Sequence, residues 1–156
     1  MSYVDVLKHE MAASQDDPAF AGGCSDEAIT EFENALKVNF PEDYKIFLRR
    51  FGALSFGGET FYGITQSGLK PDEAPCVYFA TETARSQGDA DAGMIVVKSS
   101  GYGPIYSIDT HSLGSSGKPA VVETGLSFKR DKLKVLAYDS FEAFFSATVR
   151  QAILDV

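Results

Sequence analysis

Apolar residues recur at helical spacing in several stretches of the chain and at strand spacing between them. Val4, Leu7 and Met11 predict a short amphipathic helix over about residues 3–13. A polar segment follows to Gly23, with Pro18 and the pair Gly22-Gly23, and reads as a loop. Ser25 stands as an N-cap with Asp26 and Glu27 behind it, where the helix dipole favours acids, and Ile29, Phe32 and Leu36 form the stripe of a second helix. Pro41 opens a third, with Tyr44, Phe47, Leu48 and Phe51 on one face, Arg49-Arg50 in the last turn and Gly52 as its end in the left-handed conformation.

Beyond Gly52 the period falls to two. Thr60 to Ile64 reads as a strand entered through Gly57-Gly58, and Pro71 and Pro75 bracket a loop. The run from Val77 to Arg85 fits helix or strand equally. Met94–Lys98, Ile105–Asp109 and Ala120–Glu123 are strands separated by turn residues, with the close spacing of antiparallel neighbours. Ser140 caps a closing helix carrying Phe141, Phe144, Phe145, Thr148 and Val149 inward. Helices, then strands, then a helix define an α+β chain rather than an alternating one, with one mostly antiparallel or mixed sheet and helices at its side. With 156 residues and no linker or repeat, residues 1–156 are expected to form a single domain.

Three segments in this order carry a family resemblance. Phe32-Glu33, Leu36, Phe40-Pro41, Tyr44 and Phe47-Leu48 resemble the opening motif of the SUKH superfamily, with Phe40 in place of the usual leucine before proline. Phe51-Gly52 stands where that family often ends the helix with asparagine-glycine. Ile95-Val96-Val97 followed by Gly101-Tyr102-Gly103-Pro104 resembles its strand–turn–strand element, and Ser140-Phe141 with Phe144 its last helix, so the likeness spans about residues 25–147. It implies an α+β SUKH-like fold and a protein-binding role. Many bacterial members look like immunity proteins against polymorphic toxins, often nucleases, and fungal relatives look like regulatory scaffolds of cell-wall synthesis. The motif residues themselves are of core and helix-end type, so they speak for the fold and not for a partner's footprint.

Charge sharpens the picture. The net is −8, and residues 1–97 hold 16 acids against 7 bases, whereas residues 98–156 hold 6 against 7. Such a field repels phosphate backbones and anionic lipid and attracts basic partners, besides keeping the chain in solution. The basic run Lys129-Arg130-Asp131-Lys132-Leu133-Lys134 reads as the solvated edge of a strand or hairpin rather than a nucleic-acid site. Apolar runs are strand-length, far below the roughly 20 residues of a membrane span. No secretory leader is evident, and Cys24 and Cys76 read as free thiols, so a cytoplasmic setting is expected.

Catalytic and cofactor motifs are missing. His9 and His111 are isolated in sequence and read as surface residues, and Cys24, although beside a helix start, has no identifiable base. Ser55 and Ser115-Ser116 lack the nucleophile-elbow pattern, Gly101-Tyr102-Gly103 lacks the rest of a dinucleotide loop, and Asp89 and Asp91 lack the other ligands of a calcium loop. The expectation is no enzyme activity, no cofactor and no metal site. The acids and tyrosines expected to meet a partner, a basic nuclease-like toxin, are Glu59, Tyr62, Asp72, Glu73, Glu82, Asp89, Asp91 and Tyr102.

Overall fold

The computed structural model describes residues 2–72, 75–99 and 103–155. The expected helices are α1 (Tyr3–Ala12), α2 (Asp26–Leu36), α3 (Glu42–Phe51) and, at the other end, α6 (Phe141–Leu154). Their caps follow the sequence chemistry. The Ser25 hydroxyl accepts the Ala28 N–H and the Ser140 hydroxyl accepts the Ala143 N–H, while the Gly52 N–H closes α3 on the Leu48 carbonyl with φ 71° and ψ −66° in place of the expected left-handed helical conformation.

Between α1 and α2 the expected loop includes a two-residue strand, β1 (Ala19–Phe20), which pairs with β2 (Leu54–Phe56). β2 turns back as β3 (Glu59–Phe61) through Gly57 and Gly58, both at positive φ, which is the two-residue hairpin turn that matches strand twist. The ambiguous run is a helix, α4 (Val77–Ser86), buried through Val77, Thr81 and Ala84. A second antiparallel sheet, in order β4-β5-β6-β7, comprises β4 (Met94–Ser99), β5 (Ile105–Leu113), β6 (Pro119–Thr124) and β7 (Val135–Tyr138). β7 and the one-turn helix α5 (Phe128–Asp131) before it were not expected from the pattern.

Among the described residues the strands thus form two sheets, of three and four strands, in place of the single expected one. They meet where the Tyr62 N–H donates to the Val97 carbonyl at 2.8 Å. Pairing goes no further because the chain leaves β3 at Gly63 to pack on Gly52. A Cβ on Gly63 would collide with the Gly52 carbonyl oxygen, and Gly63 instead exchanges hydrogen bonds with Pro75 and Val77.

The core is an aromatic cluster closed by α6. Phe47 lies 5.2 Å from Phe145 and 5.3 Å from Phe141 between ring centroids, and Phe61 stacks edge-on against Phe145 at 4.8 Å. Asp43, almost fully buried, pins this joint: its carboxylate accepts the Tyr44 N–H at 2.9 Å and the Glu142 N–H at 3.0 Å, capping α6 from α3. Among the described residues no helix is long and apolar enough to cross a membrane.

Candidate partner-binding valley

Where the two sheets meet, the surface dips into three neighbouring depressions that share wall residues. The ion pair Lys98–Glu59, 2.7 Å long, forms the ridge between two of them. On one side lies a cavity of about 560 Å³ walled by Ser55, Thr60, Tyr62 and Ser99; on the other, one of about 310 Å³ is walled by Tyr106, Tyr138, Phe144 and Gln151. Tyr62 and Ser99 also border a third, of about 220 Å³, that runs along α4 to Asp89.

A β-bulge builds this arrangement. In β4 the register slips between Val96 and Lys98, so that Val96 faces Ser107 and Lys98 faces Tyr106. The extra residue, Val97, turns its carbonyl to Tyr62, and the Lys98 ammonium lands 5.6 Å from the centre of the Tyr106 ring. Burial pushes the Tyr106 phenol up to about 12, and its hydrogen bond with Glu123 adds to the rise. Burial likewise raises Tyr62, against the opposing hydrogen bonds with Ser99. Both phenols stay protonated at neutral pH, the Tyr62 hydroxyl engaged by Ser99 and the Tyr106 hydroxyl by Glu123.

Of the residues singled out from sequence, the valley gathers Glu59, Tyr62 and Asp89, but Tyr62, expected to meet a partner, is largely buried in the core and only borders the valley. Glu82 faces Arg85 on α4 at 3.6 Å, Asp72 is exposed on its loop, and Asp91 belongs to a different cluster. Glu73 and Tyr102 lie outside the described residues. Lys98, Tyr106 and Tyr138 were missed, because nothing in the run Met94-Ile95-Val96-Val97 announces the bulge that brings Lys98 over Tyr106.

The basic run is not simply a solvated strand edge. Lys129 and Arg130 are exposed on α5, but Lys134 turns inward, its ammonium 2.7 Å from Asp91 and 2.9 Å from the fully buried Asp109. Burial alone would raise the Asp109 pKa; the donors Lys134, Ser112 and the His111 N–H outweigh it and hold the carboxyl below its ordinary value. His111, Asp91 and Asp109 bring their ligand-type atoms within 4.8 Å of one another, a proximity the sequence did not show. The Lys134 ammonium already sits on both carboxylates and supplies the positive charge there.

Cys24, beside the start of α2, sits in surroundings that disfavour its thiolate. Burial raises the Cys24 thiol to about 11, and the thiol points at the Leu48 carbonyl, 3.3 Å away.

Fold and valley together give an α+β arrangement with a polar, tyrosine-lined surface, beside which Leu133, Val135 and Leu136 stand exposed around β7. A SUKH_6 family model, described as SMI1-KNR4 cell-wall, matches residues 26–145, most of the chain. The chain belongs to the SUKH superfamily. The match begins at α2 and ends inside α6, so it takes in the aromatic joint of α3 with α6 and all of the valley except the walls that the later turns of α6 supply.

Proposed function

We propose that this protein works by stoichiometric binding and has no chemistry of its own, and that it is an immunity protein covering the active surface of a basic, nuclease-like toxin with its valley. The observation that carries the reading is that three depressions bordered by Glu59, Tyr62, Asp89, Tyr106 and Tyr138 adjoin along the β4 edge, the first sharing Glu59 and Lys98 with the second and Tyr62 and Ser99 with the third. Tyrosines offer large contact area at small entropic cost, and acids at the rim steer a cationic partner. SUKH membership and the net charge of −8 support the same reading. The matched family's description also supports a second reading, a scaffold that regulates wall synthesis by binding host proteins.

The test is co-purification and inhibition with a toxin domain encoded beside this gene. A one-to-one complex that abolishes the toxin's activity is the expected result, with an association rate that falls steeply as salt rises. Glu59→Gln with Asp89→Asn should slow association, while Glu27→Gln with Glu31→Gln, exposed on α2, should not. Equal effects from both pairs would sink the valley as the docking surface, and a housekeeping partner would favour the scaffold.

A further inference from the structure

The third depression has the chemistry of a socket for one side chain. Its walls are largely apolar: Phe79, Ala80 and Ala84 from α4, Val96 from β4 and Ile105 from β5, with Tyr62 at the mouth it shares with the rest of the valley. At about 220 Å³ it has room for a long side chain and little more. Asp89 closes one end. Its Oδ1 is buried and has no hydrogen-bond donor among the described residues, and the half-exposed Lys129 ammonium forms an ion pair with it at 3.7 Å. The last turn of α4 borders the same end through Thr83, Ala84 and Gln87, so the negative pole of the helix dipole adds to the carboxylate.

Further polar groups lie around this floor. Ser107 is paired across the sheet with Val96, and Thr124 with Ile105, so both share the face that carries two of the socket's walls. Both are buried and their hydroxyls have no partner among the described residues. A buried acceptor without a donor is costly unless something satisfies it in use.

We infer that this socket receives a basic side chain of the partner, a lysine or arginine whose aliphatic stem lies on Phe79, Ala80 and Ile105 and whose charged head replaces Lys129 at Asp89 Oδ1. The inference rests on the proposal that the partner is basic and adds the chemistry by which it is anchored. An apolar slot with one unsatisfied carboxylate at its end selects a cation on a stem: an acid is repelled there, and a purely apolar group leaves the oxygen unpaired.

The test needs no partner. Butylguanidinium and butylammonium, mimicking arginine and lysine, are titrated into the ¹⁵N-labelled protein, with butanol as the uncharged control. Both cations should shift the amide signals of Ala80, Ala84, Asp89 and Val96, and the stronger of the two names the preferred residue. Asp89→Asn, isosteric and without charge, should weaken binding by at least about tenfold, as expected for losing one charge-assisted hydrogen bond. Ala80→Leu should block the slot with the charge intact, and Lys129→Ala, which removes the competing cation, should tighten binding. Shifts as large with butanol, unchanged binding to Asp89→Asn, or no response at these amides would overturn the socket. None of those results bears on whether a toxin is bound elsewhere on the valley, and failure to bind a toxin would leave the fragment result standing.

Discussion

Replacing Phe47 by alanine should be among the most damaging single changes in this protein. The ring is fully buried and touches Tyr44, Phe51, Phe61, Phe141 and Phe145, so it joins α3 to β3 and α6 at once. Truncating a buried phenylalanine typically costs about 3–5 kcal/mol, part lost transfer energy and part the cavity left behind. The upper half of that range applies, because the neighbours are aromatic rings held by one another and cannot collapse into the space. For a chain of this length each kcal/mol lowers the melting temperature by about 2–4 °C, so a loss of about 4 kcal/mol should appear as a fall of about 12 °C. Urea unfolding followed by far-UV circular dichroism should show the same loss as a lower midpoint at unchanged slope. Phe47→Leu, which keeps most of the volume, should lose clearly less. A Phe47→Ala protein that melts with the parent but no longer binds its partner would mean the ring is an interface anchor and the core assignment is wrong.

Two further outcomes follow from charge and burial. Cys24 should react with iodoacetamide far more slowly at pH 7.5 than a free cysteine, because its thiol is raised to about 11; a rate matching the free amino acid, measured by mass spectrometry, would refute the buried-thiol reading. Asp109 has a folded pKa below its ordinary value, so the stability it contributes is fully present above that ordinary value and is lost as pH falls through the depressed one, below about pH 4. The thermal-melt profile of Asp109→Asn should therefore be flatter than the parent's in acid and lower than the parent's at neutral pH, and parallel profiles would show that Asp109 does not carry this dependence.

The helices of the aromatic core were legible because their stripes are long and unmixed: Ile29, Phe32 and Leu36 in α2, and Tyr44, Phe47, Leu48 and Phe51 in α3, are buried as their spacing requires. α4 was not, since its inward face is Val77, Thr81 and Ala84, and Thr81 is buried because its hydroxyl accepts the Val96 N–H at 3.0 Å. β7 escaped for a similar reason. Val135 and Leu136 are exposed on an outer strand, so no alternation marks it, and the preceding lysines read as solvated until tertiary structure turns Lys134 onto Asp109. Glu33 shows the limit of reading acids as surface charge: it accepts the Phe40 N–H at 2.8 Å and lies 3.6 Å from Lys45, which makes it part of the α2–α3 link. In the valley, charge and aromaticity pointed to Glu59, Tyr62 and Asp89, while Lys98 and Tyr106 depended on a one-residue slip that leaves no trace in composition.

The joint between α3 and α6 also sets when this protein can fold. The Asp43 carboxylate and the Glu142 N–H that it caps are 99 positions apart, and the rings that cover Phe47 belong to the same late helix. A ribosome releases the chain from its N-terminus, so α3 emerges with its aromatic face bare and stays so until α6 has been made and has cleared the exit tunnel. A nascent chain arrested before Ser140 would display Tyr44, Phe47 and Phe51 together, the kind of surface that chaperones hold and proteases find. Once α6 docks, a single cap and a few ring contacts close the whole face, so α6 commits the chain to its fold.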